Sequence, residues 1–268
     1  MKFGTGIGIV ITLVGIAMGA TMEGTNVMVV INVPAILIVL VGTLGASIAA
    51  CGLEANIRLP KLFIKAFMPD DVDLVGRVNE LVSFAEKARR DGLLALDEAV
   101  KDITDPFTKK GVQLVVDGTD PDLVYAVLDA ENEAMRKRHA QARNPFMQAG
   151  ALAPTMGIIG TVFGLVNVMN NLNNPSSLGP LIASAFLATL MGVGAANVVF
   201  LPMANRLKEL SEQELHFREM TLEGILGIQA GDNPRVIEEK LMAFVPPAER
   251  VSATGGGDGG GTAEKQAA

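Results

Sequence analysis

The sequence predicts an all-α, polytopic membrane protein with four transmembrane helices and a helical cytoplasmic domain between helices two and three. Three observations carry this. Of 268 residues, 49% are hydrophobic and only 19% are charged, where a soluble domain usually carries about 25% charge. The mean hydropathy is +0.37. The shortage of charge is local: positions 3–22, 24–53 and 144–205 contain no Asp, Glu, Lys, Arg or His. About 20 mostly apolar residues cross a bilayer as a helix. The first two stretches therefore hold one span each, and the third holds two.

Helix one covers roughly 3–20, with Glu23 in the tight outer loop beyond it. Lys2 before an apolar run resembles a signal peptide. No small-x-small cleavage site leads into a polar start, however, and a second span follows almost at once, so a retained helix is expected. Helix two covers roughly 32–51, with Pro34 in its first turn, where a missing N–H is tolerated. The next ninety or so residues read as mainly helical, broken at Pro69-Asp70-Asp71, Gly92, Asp105-Pro106 and Gly118-Thr119-Asp120-Pro121. Leu74, Val75, Val78, Leu81 and Val82 repeat at helical spacing. Residues 123–141 form a second amphipathic helix ending in Arg136-Lys137-Arg138, which reads as a basic anchor beside the membrane rather than a specific lipid site. Helix three begins near Leu152, and helix four spans roughly 181–201. The polar, turn-rich stretch 170–177 joins them. Residues 208–223 continue helix four into the cytoplasm, and Asn233-Pro234 opens a last short helix ending at Pro246-Pro247. The Gly-rich tail from Ser252 is expected to be disordered. The resulting divisions are 1–53 (spans one and two), 54–146 (cytoplasmic helical domain), 147–205 (spans three and four), 206–250 (cytoplasmic C-terminal helices) and 251–268 (tail).

Basic residues set the orientation. The 22 Lys and Arg fall at Lys2, at fourteen positions within 58–143 and at seven from Arg206 onward, and neither short loop (21–27 and 170–181) has any. Basic loops stay in the cytoplasm. Both termini and the long middle segment are thus expected on the cytoplasmic side of the membrane. The net charge of −7 argues against nucleic acid as a partner. The single Cys51 excludes an internal disulfide.

Little in the chain resembles an enzyme. There is no nucleophile–base constellation, no metal-ligand spacing, and His139 and His216 stand alone. Gly4-Thr-Gly6-Ile-Gly8 has part of the spacing of a dinucleotide loop, but it opens a membrane helix and no strand precedes it. No Gly-x4-Gly-Lys-Ser/Thr sequence occurs, so ATP is not the energy source, and no cofactor is expected. Polar residues within the spans are the remaining candidates. Helix three carries Pro154, Thr155, Gly157, Gly160, Thr161 and Gly164. Helix four carries Ser184, Ala185, Ala188, Thr189, Gly192, Gly194 and Asn197. Small residues at this spacing let helix backbones approach closely, so both helices are expected to face inward, while the bulkier helices one and two face lipid. A membrane threonine can simply bond a carbonyl one turn back, and that reading competes with a polar path. Proton relays use carboxylates or histidines. These spans have neither, so an ion path would require a partner to bring the ionisable group.

At helices three and four the sequence resembles a known family. The stretches Ala149-Gly-Ala-Leu-Ala-Pro154-Thr-Met-Gly-Ile-Ile-Gly-Thr161, Ala185-Phe-Leu-Ala-Thr189-Leu-Met-Gly and Leu201-Pro202-Met-Ala-Asn-Arg-Leu-Lys are similar to MotA and its sodium-driven relative PomA, the larger stator subunit of the bacterial flagellar motor. Arg89-Arg90-Asp91-Gly92 through Asp97, Glu223 through Arg235, and Asn32-Val-Pro34 to Gly42-Thr43 also fit, so the resemblance spans about residues 1–250. It implies five copies around a dimer of a MotB-type single-span subunit that supplies the membrane aspartate. It implies passage of protons or sodium ions, with protons slightly favoured, and torque on the rotor's switch complex. It matches Thr161 and Thr189 to the ion path, Pro154 and Pro202 to conformational coupling, and Arg89, Arg90, Asp97 and Glu98 to the rotor contact. The acidic member of the charged pair is either Asp97 or Glu98, because the family commonly has Glu where Asp97 stands. The competing readings are an ExbB/TolQ-like energiser of outer-membrane processes, a group that resembles three-span proteins, and a membrane scaffold that conducts nothing.

Overall fold

Asn32 shows how the sequence starts a helix here. Its side-chain oxygen accepts the Ala35 N–H at 3.2 Å, and Pro34 occupies the first turn behind it. The structure, a computed structural model, describes residues 4–25, 32–68 and 72–254, with side chains through 250. Every element among them is helical. In order, α1 is Gly4–Met22 and α2 is Val33–Cys51. The short α3 (Leu53–Ile57) and α4 (Leu59–Phe67) follow. Next come α5 (Leu74–Asp91), a 3₁₀ turn at Leu93–Ala95, α6 (Leu96–Asp102) and α7 (Pro106–Val116). Two long helices, α8 (Pro121–Asn170) and α9 (Pro175–Ala230), precede α10 (Pro234–Met242) and α11 (Pro247–Thr254). Four helices are long and apolar enough to cross a membrane: α1, α2, α8 and α9.

The chain divides into two compact units. The first comprises Met1–Asp70 and Met135–Glu212. In it, α1 has no buried residue. α2 buries one stripe at four-residue spacing, Ala35, Val39, Thr43 and Ser47, and exposes Leu37, Val41, Leu44 and Ile48. Exposed large apolar residues also line α8 and α9, Phe163 and Phe186 among them. A small apolar cluster of Ala66, Phe146, Met203 and Ala204 gathers Leu59, Leu62, Phe67 and Ile9 around it.

The second unit comprises Asp71–Ala134 and Gln213–Ala268. Its core brings together Val78, Leu81 and Phe84 of α5, Phe107 and Val112 of α7, Leu128 of α8, Ile225 of α9 and Ile237 and Leu241 of α10. Asp73, Asp105 and Asn233 each cap a helix through their side-chain oxygens. For the last two, proline follows at the first helical position, where its fixed φ suits the turn. Arg77 ties α5 to α7. It reaches Thr108 Oγ1 at 2.8 Å and Asp105 at 3.6 Å, and lies 4.9 Å from the centre of the Phe217 ring.

Three sequence expectations change. The amphipathic helix at 123–141 and the span beginning near Leu152 are one helix, α8, which passes through Pro145 and Pro154. An interior proline normally breaks a helix at a cost of about 3 kcal/mol. Here Pro145, Phe146, Ala149 and Ala153 are all buried, and packing holds the helix through both. The loop expected over 170–177 shrinks to residues 171–174, because Pro175 starts α9 in the position where proline is preorganised for a helix. α11 runs through Thr254, beyond the point where disorder was expected. Pro69-Asp70-Asp71 and the tail from 255 lie outside the described residues.

Candidate functional site

The seam between the apolar parts of α8 and α9 is built backbone against backbone. A Cβ placed on Gly157 would lie 2.9 Å from the Ala188 carbonyl oxygen and 3.3 Å from Gly192 Cα. A Cβ on Gly192 would lie 3.0 Å from Gly157 Cα, and one on Gly160 would lie 2.7 Å from Ala188 Cβ. The small residues read from the sequence therefore form one contact line, in which each helix fills the space the other's missing side chains leave.

Thr161 and Thr189 meet on this seam. Their hydroxyl oxygens are in direct hydrogen-bond contact. Thr161 Oγ1 also lies 3.1 Å from its own helix's Gly157 carbonyl and 3.1 Å from the Ala185 carbonyl across the seam. A hydroxyl donates one proton and offers two lone pairs, so these contacts cannot all be donations by Thr161. If Thr189 donates to Thr161, Thr161 donates to one of the two carbonyls, and Thr189 keeps free lone pairs. If Thr161 donates to Thr189, the Thr189 proton is free. The half-buried pair can thus present either an acceptor or a donor without moving a backbone atom. Thr155 differs: it is exposed and bonds Leu152 O at 2.6 Å in its own helix, as the simpler reading of a membrane threonine expects.

Pro154 lies in the interior of α8, one turn on from Gly150, against which Leu201 packs with its Cγ 2.8 Å from where a Gly150 Cβ would stand. Pro202 follows Leu201 directly, just after the π-helical segment Ala195–Phe200. The Leu201 N–H bonds Ala196 O, five residues back. This wider turn immediately precedes a proline, which can donate no backbone hydrogen bond. The structure brings the neighbourhoods of the two prolines together through Gly150 and Leu201, while the threonine pair lies further along the same seam.

In the second unit, Arg89 and Arg90 are exposed in the last turn of α5. Gly92, at φ +85°, turns the chain into the 3₁₀ segment, and Asp97 and Glu98 are exposed in the first turn of α6. The arginines differ. Arg90 is paired with Asp91, Nη2 to Oδ2 at 2.9 Å and Nε to Oδ1 at 3.1 Å. This hydrogen bond, seconded by the charge attraction, raises the Arg90 pKa. The same hydrogen bond holds the Asp91 carboxyl below its ordinary range. Arg89 has no side-chain partner among the described residues and borders a shallow pocket with Ala85, Leu93, Gln229 and Asp232.

Two polar contacts escaped the sequence reading. At one end of α2, the Asn32 amide donates to Ser184 Oγ on α9 at 2.7 Å. At the other end, buried Ser47 donates to Asn56 Oδ1 at 2.9 Å, and the Asn56 amide donates back to Gly52 O at 2.9 Å and Ser47 O at 3.3 Å. Ser47 Oγ also lies 3.4 Å from the Pro145 carbonyl. Asparagine beside the end of a span was the only sequence signal available.

Four apolar spanning helices place the chain among multi-pass membrane proteins. Residues 99–220 match the MotA/TolQ/ExbB proton channel family. Motility protein A of Bacillus subtilis is 36% identical over 246 residues, which cover 91% of this chain and 91% of that protein. The solved structure of C. jejuni MotAB aligns with a TM-score of 0.88 at 30% identity, covering 92% of this chain and 97% of the other. The flagellar MotAB stator complex from Bacillus subtilis aligns at 0.85 and 35% identity, with the same coverage. The chain belongs to the MotA/TolQ/ExbB proton channel family.

Proposed function

We propose that this chain is the ion-channel subunit of a flagellar stator, which with a MotB-type single-span partner converts ion flow into torque on the rotor. The observation that carries this is a hydroxyl pair on a close-packed helix seam, Thr161 with Thr189, within spans that contain no ionisable side chain. Hydroxyls can pass a hydrogen bond along or ligate a cation, but they do not switch between charged and neutral forms as the carboxylates of proton relays do. The partner supplies that carboxylate. Similarity to MotAB complexes over more than nine-tenths of the chain supports this division of labour.

In this reading five copies surround a partner dimer in the bacterial inner membrane. Both termini are cytoplasmic, as the distribution of Lys and Arg favours. Thr161 and Thr189 lie along the ion path, and Pro154 and Pro202 allow spans three and four to change shape as the partner carboxylate is charged and discharged. Arg89, which has no side-chain partner among the described residues, is the cation offered to the rotor, Arg90 being held by Asp91, and Asp97 and Glu98 are the anions. Protons are the favoured ion. The four spanning helices and the end-to-end similarity to Motility protein A favour the stator over an ExbB/TolQ-type energiser.

Deleting the gene should give cells that carry flagella but do not swim. Loss of the flagella themselves, or normal swimming, would overturn the reading. Swimming in sodium-free medium that stops on adding a protonophore identifies the proton as the ion. Swimming that needs sodium and survives the protonophore assigns sodium instead.

A further inference from the structure

The first unit contains an amphipathic segment that neither the spans nor the threonine seam uses. α2 has 19 residues, about 28 Å at 1.5 Å per residue, which matches the roughly 30 Å hydrocarbon core of a bilayer. Gly52, at φ +82°, turns the chain directly at its end. α3 and α4 therefore begin at the membrane surface. The Ser47–Asn56 hydrogen bonds, with Asn56 buried, fix α3 back against the end of α2.

Three sectors divide this segment. Leu59, Leu62 and Ala66 of α4 face the protein and pack into the cluster with Phe146 and Met203. Leu53, Ile57, Ile64 and Met68 are large, apolar and 60–71% exposed. Arg58, Lys61 and Lys65 recur at three- and four-residue spacing, so they share one edge of the helix, and all three are exposed. Among the described residues none of the three makes a salt bridge, and the one acidic residue of the segment is Glu54. A buried sector, an exposed apolar sector and a basic edge side by side are the arrangement of a helix lying in the plane of an interface.

We propose that α3 and α4 form an interfacial element that binds anionic phospholipid: the exposed apolar residues enter the acyl boundary of the leaflet reached by the end of α2, and Arg58, Lys61 and Lys65 hold lipid phosphates. The occupant is lipid for two reasons. The apolar sector continues directly from the exposed face of a spanning helix, and the positive edge complements the negative surface of a leaflet containing anionic lipid. Three basic groups at one edge, with no salt-bridge partner among the described residues, select for headgroup charge, whereas the apolar sector alone would bind any lipid. The inference depends on the membrane topology and not on the stator role.

The test uses the full chain with its MotB-type partner, reconstituted in vesicles of phosphatidylcholine with spin-labelled phosphatidylglycerol or spin-labelled phosphatidylcholine. The association constant for the phosphatidylglycerol probe is expected to exceed that for phosphatidylcholine by about threefold or more, falling to about onefold in R58Q/K61Q/K65Q. Neutralising Arg136, Lys137 and Arg138 instead should leave the preference in place. A second measurement fixes the depth. The chain contains no tryptophan, so Ile64→Trp adds its own fluorescence above that of the unsubstituted complex. Lipids brominated along the chain should quench Ile64→Trp strongly, and Leu94→Trp, in the second unit, hardly at all. No preference for phosphatidylglycerol in the wild type, or a preference that survives the triple substitution, overturns the headgroup assignment. An unquenched Ile64→Trp overturns the membrane placement and indicates that protein, such as a second copy of this chain, covers the face.

Discussion

Gly157→Ala tests the seam without touching either hydroxyl. The added Cβ would stand 2.9 Å from Ala188 O, 3.1 Å from Thr189 Cα and 3.3 Å from Gly192 Cα. Carbon–carbon contacts settle at about 3.5–4.0 Å, so α8 and α9 must separate locally by about 0.5 Å. Every atom in the way belongs to backbone, and no rotamer change can relieve the contact. Overpacking of this kind costs about 1–3 kcal/mol. The better helix propensity of alanine returns up to about 1 kcal/mol, so the net loss of stability is modest, about 0–2 kcal/mol. The consequence for the site is larger. Thr161 lies one turn away, and its 3.1 Å contact with Ala185 O would lengthen to about 3.6 Å, beyond hydrogen-bonding distance. The expected result is a clear fall in torque, read from tethered cells at equal membrane levels of the protein, with a small change in detergent unfolding midpoint. Gly8→Ala, which meets nothing within 4 Å, gains the same propensity and should leave torque unchanged. Wild-type torque from Gly157→Ala would refute the claim that seam spacing controls the hydroxyl pair.

The hydroxyls themselves should act as one unit. Thr161→Val and Thr189→Val are each expected to lower ion flux through the assembled complex, and their combination should cost less than the sum of the two by about 0.5–1.5 kcal/mol; fully additive losses would deny the pairing. Asn56→Ala removes a buried partner of Ser47 and is expected to destabilise the first unit by about 1–3 kcal/mol, visible as a lower unfolding midpoint with the second unit's transition unmoved. The Arg90–Asp91 pair should hold throughout the physiological pH range. The Asp91 carboxyl is lowered from an ordinary 3.8, so its contribution is complete above that value and disappears only as pH falls through the lowered one. If Arg89 makes the proposed rotor contact, Asp91→Asn frees Arg90 and should add a second cation there, partly restoring swimming to an Arg89→Ala strain; no restoration would count against Arg90 being held in reserve.

The spans were legible because absence of charge over twenty residues is a one-dimensional property, fixed by the solvent rather than by distant contacts. The seam was legible for a related reason: small residues at three- and four-residue spacing describe one face of one helix. The helix caps at Asp105 and Asn233 could be read from the proline after each. What stayed hidden depends on residues far apart in sequence. Ser47 and Pro145 are 98 positions apart, and Asn32 and Ser184 are 152 apart. Nothing local distinguishes these polar residues from ones that bond their own helix. The continuity of α8 through two prolines was hidden because the rule that proline breaks a helix is local, while the packing of Phe146, Ala149 and Ala153 that overrides it is not. The pairing of Arg90 with Asp91 was missed although the residues are adjacent, because neighbours on a helix do not normally face each other; Asp91 escapes that rule by ending its helix.

Under the proposed ion path along Thr161 and Thr189, the seam also bears on how ion movement becomes mechanical movement. Where α8 meets α9 at Gly157 and Gly192, no side chain lies between the backbones. A contact between two side chains can absorb a small displacement by rotating a torsion angle, but a contact between two backbones cannot. The hydroxyl pair sits one turn from that crossing. A charge brought beside Thr189 therefore has two ways to be accommodated. The hydroxyl protons can reorient, which leaves the helices in place, or the hydroxyls can part, which moves both helices. In the second case the displacement runs along the seam to Gly150 and Leu201, where Pro154 and Pro202 each lack a backbone donor and the π-helical turn at Ala195–Phe200 is already widened. Interior prolines and π-helical turns are places where helices can bend. Proton reorientation alone would let ions pass without work. Coupling requires the second response, and it follows that a substitution stiffening the Pro202 end, such as Pro202→Ala, should reduce torque more than ion flux. Equal losses of both would place the prolines in the pore rather than in the transmission.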